Sequence, residues 1–295
     1  MSDNTERSFT DKWRENPRGF FDETLREGSE TQSWILTRNG FATLEALRDY
    51  LAGKHRVLDA GCGNGRVTAL LRRMSSPDAT EIVGIDLVAA KIARGNLAGA
   101  RNVRFEARDL LGDLSDLGHF DFIYSQEVLH HTADPARAFA NLCQLLAPGG
   151  EIAIYVYRAK APVREYVDDY VRARIADLPY AEAVENCREI TELGRALAEA
   201  NVRVKVPAVR VLGIEAGEFD VQRFVYHFFA KCYWNPGVTF DENVMINYDW
   251  YHPQLASRHT LAEVEAWFGA GGLEIVQRHE DFYGITMRGR RASAR

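Results

Sequence analysis

The sequence is poor in the features that tie a chain to a metal, a membrane or an oxidising compartment. Its four cysteines, Cys62, Cys143, Cys187 and Cys232, are scattered with no C-x-x-C pair, so neither a zinc site nor a disulfide framework is indicated. No other metal-ligating constellation stands out. No apolar run approaches the roughly 20 residues of a membrane span. The opening MSDNTERSFTDKW is polar and lacks the apolar segment of a signal peptide. A reducing, cytoplasmic setting is the expectation. A basic surplus is missing too: 36 Lys and Arg stand against 42 Asp and Glu, a net charge of −6. That argues against binding nucleic acid without regard to sequence.

What remains is ordinary globular material, 46% hydrophobic and 26% charged over 295 residues. The chain is long enough for one large core plus a substantial insertion. Its densest feature is RVLDAGCGNGR, Arg56 to Arg66. Val57 and Leu58 end a buried strand; Asp59, Gly61, Gly63 and Gly65 occupy every second position; an apolar helix-like run follows. Glycines this dense allow a tight turn whose N–H groups face a ligand at the next helix N-terminus. The dinucleotide pattern G-x-G-x-x-G fails here, because its third glycine would fall on Arg66. The pattern present is D-x-G-x-G-x-G.

From residue 56 strands and helices alternate. Strands are expected at Val57–Ala60, Glu81–Ile85, Val103–Ala107, Phe120–Tyr124 and Ile152–Tyr157, with helices near 66–74, 88–97 and 135–146. This rhythm implies a parallel sheet with right-handed crossovers, covered by helices on both faces. Residues 160–258 break the rhythm and read as mostly helical and loop in character, rich in aromatics from Phe219 to Tyr251. A helix then starts at Thr260, with Glu263 three residues on as a capping box. Two closing strands, about Leu273–Glu280 and Phe282–Arg288, must pair antiparallel or nearly so. The tail 288–295 reads as a frayed end. Before the sheet, Ser33–Leu36 and Leu44–Leu51 suggest two amphipathic helices.

Ligands of open parallel sheets bind at the carboxyl ends of the strands, where the strand order reverses. Asp59, Asp86, Asp109 and Ser125-Gln126-Glu127 occupy those ends in turn. Asp86, some 20 residues after the glycines, is placed to accept ribose hydroxyls.

Together with DFIYSQEVLHHTADPARAF and LAPGG, the D-x-G-x-G-x-G loop resembles the class I S-adenosylmethionine (SAM) dependent methyltransferases, in particular their ubiquinone/menaquinone-type small-molecule branch. The resemblance is strong over 56–157 and holds in outline over 260–288. It implies an α/β fold with a Rossmann-like seven-stranded, mostly parallel sheet, order 3-2-1-4-5-7-6, carrying a helical cap insertion. It does not cover the insertion, whose aromatics the residues themselves bring out. Three parts are expected: N-terminal helices over 1–55, either packed on the outside of the core or covering the site as a lid, a SAM-binding core over 56–159 and 259–290, and an aromatic-rich helical substrate cap over 160–258. By position, Asp59 helps hold the cofactor's amino group, with Gly61, Cys62, Gly63 and Gly65 forming the loop beside it. Asp86 binds the ribose, Asp109 accepts from the adenine amino group, Leu87 and Leu110 wall the adenine, and Gln126 lines the reactive end.

His130 and His131 invite a general-base role, since an imidazole titrates near neutral pH; the alternative is packing within the strand-four junction. In the insertion, Tyr251 and His252 carry polar tips that suit orienting or deprotonating an acceptor, while the surrounding aromatics either exclude water from the reaction or form the insertion's own core. The reading is methyl transfer from SAM to oxygen or nitrogen of a small-to-medium organic acceptor. Transfer to RNA or protein, and a SAM-binding scaffold or sensor without turnover, are the alternatives. No nucleic acid and no membrane span are expected as partners; a homo-oligomer is compatible with the aromatic cap.

Overall fold

A computed structural model describes residues 4–293. The residues group into two compact units: Phe9–Arg158 with the chain from Ser257 on, and Ala159–Ala256 with the residues up to Ser8.

The chain begins with four helices, α1 (Thr5–Glu15), α2 (Phe21–Leu25), α3 (Glu30–Arg38) and α4 (Leu44–Leu51). Ser29 and Thr43 cap α3 and α4 by accepting backbone amides three residues ahead. The alternating portion follows as β1 (Arg56–Ala60), α5 (Arg66–Met74), β2 (Glu81–Asp86), α6 (Ala90–Asn96), β3 (Val103–Ala107), β4 (Phe120–Gln126), α7 (Pro135–Gln144) and β5 (Leu146–Tyr157). The inserted unit contains α8 (Pro162–Ile175), α9 (Tyr180–Glu199), β6 (Arg203–Val206), β7 (Gly217–Asp220), α10 (Val221–Phe228) and α11 (Phe240–Tyr251). The chain closes with α12 (Leu261–Ala270), β8 (Leu273–Glu280) and β9 (Gly284–Arg291).

The large sheet runs β3-β2-β1-β4-β5-β9-β8; its first five strands are parallel, and β9 is antiparallel to both neighbours. Counting core strands only, this is the order 3-2-1-4-5-7-6. The switch point lies between β1 and β4, so the loop after β1 is where a ligand of such a sheet binds.

Successive residues of each central strand serve opposite faces. Val57, Ile82, Phe122 and Ala153 join one apolar cluster with Ile35, Leu36, Leu44, Leu47, Leu51, Leu70 and Leu71, so α3 and α4 share a face with α5. Their neighbours Leu58, Val83, Ile123 and Ile152 join Phe139, Leu142, Val264 and Phe268 on the other, beneath α7 and α12. Fully buried on both faces, these strands need no polar alternation.

Two expectations are corrected. The tail does not fray at residue 288: β9 continues to Arg291, because Glu151, buried on β5, accepts from Arg290 Nε (2.8 Å) and from Tyr50 (2.9 Å), and Arg288 lies 3.2 Å away. Arg291 donates to the carbonyl of Cys143 (2.7 Å); residues 294 and 295 lie outside the described residues. The insertion is not only helix and loop, since β6 and β7 pair antiparallel from Arg203–Asp220 to Val206–Gly217. β6 alternates over only four residues, Arg203-Val204-Lys205-Val206, and β7 is a four-residue Gly-Glu-Phe-Asp, too short for the pattern to stand out. No helix among the described residues is long and apolar enough to cross a membrane.

Candidate functional site

The site builds outward from the glycine loop. Gly61, Gly63 and Gly65 all have positive φ (81°, 53° and 85°), which L side chains rarely adopt. Space forbids side chains as well. A Cβ on Gly61 would run into Val128, one on Gly63 would lie 2.8 Å from the Trp13 indole, and one on Gly65 2.8 Å from Leu97.

The loop's amides do not all face outward, as the sequence had suggested. Gly61 and Cys62 donate to the carbonyl of Ile85 (2.7 and 2.9 Å), and Gly63 donates to Asp86 Oδ2 (2.9 Å). Asp86 Oδ1 takes the amides of Val88 and Ala89 (2.9 and 2.8 Å) at the entry to α6. One carboxylate thus fixes both the loop and the next helix. Charge-assisted bonds of this kind are short and strong.

Asp59 is almost fully buried and accepts from Thr68 Oγ1 (2.5 Å). Burial pushes its pKa up to about 6, against the Thr68 hydrogen bond and the nearby Arg66 charge, which pull it down. Arg66 reaches Thr24 Oγ1 (3.1 Å) and Glu127 (3.2 Å). Glu127 itself has φ 59°, a left-handed conformation unusual for a glutamate. Cys62 is buried, and burial holds its thiol well above its usual range. Its side chain packs with Ala90, Ala93 and Phe105.

At the other strand ends the predicted residues differ in exposure. Leu87, just past Asp86, is 51% exposed, large for a leucine. Asp109 is exposed, with Oδ1 accepting from Leu111 N (2.9 Å). Leu110 instead packs in the main core. Gln126 is buried: its Oε1 accepts from Tyr124 OH (2.6 Å), which receives Asn39 Nδ2 (3.4 Å), while its Nε2 meets no acceptor. Tyr124 and Asn39 escaped the sequence reading. For Tyr124 the signal existed, because residues i and i+2 of a strand share a face.

Beside this, the ends of β4 and β5 gather rings. His130, fully buried, stacks on Tyr157 (centroids 3.6 Å apart), and its carbonyl accepts from Ser257 N (2.9 Å). His131 meets Tyr157 and Phe9 edge-on (5.6 and 4.9 Å). Trp34 lies 5.0 Å from Tyr155.

The model of the methyltransferase domain family matches residues 33–205, more than half of the chain. The chain belongs to that family.

Similarity extends to curated members. Trans-aconitate 2-methyltransferase of Deinococcus radiodurans is 39% identical over 34% of this chain and 37% of its own length. A ubiquinone biosynthesis O-methyltransferase of Coxiella burnetii is 32% identical over 35% of this chain and 43% of its own. The chain therefore spans under half the length of these relatives. Among solved structures, an O-methyltransferase family protein from Burkholderia thailandensis aligns with 98% of this chain and 71% of its own at 14% identity and TM-score 0.47.

SAM is the cofactor of this methyltransferase family, and the donor set fits it. A left-handed glycine cradle that side chains would fill, carboxylates at three successive strand ends, an exposed leucine and a buried amide donor match its ammonium, hydroxyls, adenine and carboxylate. A carboxylate at the end of β1 suits an ammonium, whereas a pyrophosphate there would be repelled.

The remaining two predicted residues lie in the inserted unit. Tyr251 OH donates to Asp168 Oδ1 (2.8 Å) and lies 2.9 Å from the Lys231 carbonyl. His252 is fully buried, with Nδ1 2.8 Å from Ser8 Oγ and Nε2 3.1 Å from the Leu178 carbonyl. With a carbonyl as its partner, Nε2 is a donor. Both side chains are committed to internal bonds.

Proposed function

We propose that this chain transfers a methyl group from SAM to an oxygen or nitrogen of a small-to-medium organic acceptor. The observation that carries the reading is Asp86, whose carboxylate ties the Gly63 amide to the start of α6 at the sheet's switch point, beside the exposed Leu87. Asp59 faces the ammonium, Asp86 the ribose, Asp109 and Leu87 the adenine. Gln126 offers its Nε2 to the methionine end. Leu110 packs in the core.

When bound, the cofactor supplies an already activated methyl, so the protein's task is to position the acceptor and exclude water. The rings at the ends of β4 and β5 suit that task, since aromatic faces stabilise a sulfonium electrostatically. Of the four base candidates, His131 alone keeps partial exposure; His130, Tyr251 and His252 are buried. Proton removal, where the acceptor requires it, falls to His131. The names of the two relatives, one a trans-aconitate methyltransferase and one an O-methyltransferase of ubiquinone biosynthesis, fit a small acceptor.

The test is a labelled-methyl screen of the full chain against small-molecule extracts, RNA and protein. Label in a small organic product that is absent with Asp86→Ala supports the reading. Label only in RNA or protein, or none with SAM bound, contradicts it.

A further inference from the structure

The inserted unit holds two arginines whose donors the protein leaves unused. Arg164, on α8, is 1% exposed, and its Nε donates to Asp168 Oδ2 (3.1 Å). Both its Nη1 and Nη2 are buried without an acceptor. Arg223, on α10, gives Nη2 to the Trp234 carbonyl (3.1 Å), while its Nη1 is buried without one. Among the described residues its side chain enters no ion pair. The two guanidinium groups lie against the same ring: Cζ of Arg164 is 4.4 Å and Cζ of Arg223 5.6 Å from the Tyr226 centroid.

Asp168 cannot supply what is missing. Its two oxygens already accept from Arg164 Nε, Trp250 Nε1 (2.8 Å), Tyr251 OH (2.8 Å) and the Lys231 amide (2.9 Å). Four donors saturate a carboxylate. Ring contacts attract the charge of a guanidinium but do not replace hydrogen bonds along its N–H edge. Buried donors are almost always satisfied, so three buried guanidinium nitrogens without an acceptor, on two helices packed against one ring, call for an external acceptor.

We propose that Arg164 and Arg223 form a binding site for the oxyanion, carboxylate or phosphoryl, of a small ligand. An oxyanion supplies the acceptors through charge-assisted bonds. Because the donors are closed off from solvent, entry requires local opening of the unit and is slow relative to diffusion.

The test is thermal unfolding of the full chain with malonate, citrate or inorganic phosphate at about 10 mM, against sodium chloride of equal ionic strength. At least one probe is expected to raise the midpoint by roughly 2–5 °C beyond the salt control. Arg223→Gln abolishes that rise, and Arg223→Lys, which keeps the charge but loses the fork, reduces it. A response to carboxylates alone identifies a carboxylate ligand; a response to phosphate alone identifies a phosphoryl group. No probe exceeding salt, or a rise that persists in Arg223→Gln, overturns the site and leaves a buried water as the partner of these donors. SAM titration in parallel separates the two claims. SAM binding without an anion response removes only this inference, whereas an anion response without SAM binding removes the methyl-transfer reading alone.

Discussion

The carboxylate of Asp86 receives the backbone amide of Gly63 at 2.9 Å, across the gap between the ends of β2 and β1. The bond makes the shape of the glycine loop depend on an acid 23 residues downstream. Asp86→Asn turns a donor towards the Gly63 amide on one side or towards α6 on the other, whichever way the amide faces. SAM affinity should fall about 10- to 100-fold, and stability by about 1–2 kcal/mol. Calorimetric titration and denaturant unfolding of the variant check both.

Asp59 yields a pH dependence of defined sign. Its folded pKa, about 6, lies above the ordinary carboxylate value of 3.8. The fold therefore favours the protonated form. Its contribution is fully present below about pH 4 and is lost as pH rises through 6, a change on the order of 3 kcal/mol for this buried group. Asp59→Asn removes the loss while keeping an acceptor for Thr68. The variant should be more stable than the parent at pH 7 and no more stable at pH 4, yet bind SAM more weakly. Chemical denaturation across that pH range is the check.

Gly63 is held by two constraints that mutagenesis can separate. Gly63→Ala meets both the positive φ and the Trp13 indole, and should destabilise by about 1–3 kcal/mol. In a Trp13→Ala background the steric part disappears and the backbone part remains. The glycine substitution should then cost measurably less, by a double-mutant cycle of unfolding free energies. Equal costs in both backgrounds would show that Trp13 does not press on the loop.

Tyr251 separates an internal from a catalytic role. Its hydroxyl bonds the buried Asp168, and burial, with that carboxylate, holds the phenol well above its usual range. Tyr251→Phe should lower stability by about 1–2 kcal/mol and leave turnover per folded molecule within about threefold. A loss of turnover beyond a hundredfold in a stable variant would make Tyr251 a catalytic residue.

What the sequence disclosed follows from what is local in it. Asp59 and Asp86 each follow a short apolar run, Asp109 closes the next β–α repeat, and Thr260 caps its helix three residues before Glu263, so these positions and the α12 start were legible. The partners of those acids were less so. The Gly63–Asp86 bond, the Tyr124–Gln126 pair and Arg66 with Glu127 arise only once the sheet is assembled. Arg164 and Asp168 stand four apart on α8 and resemble a surface ion pair; their burial depends on Trp250 and Tyr251, more than 80 residues away. The polar tips of Tyr251 and His252 looked available for chemistry because sequence does not display the Asp168 and Ser8 partners that occupy them.

Calorimetric titration of the full chain with SAM, S-adenosylhomocysteine and NAD tests the central claim most directly. SAM and S-adenosylhomocysteine should each bind at one site per chain, weakened by Asp86→Asn, and NAD should give no measurable heat. Absence of SAM binding, or a preference for NAD, would contradict it.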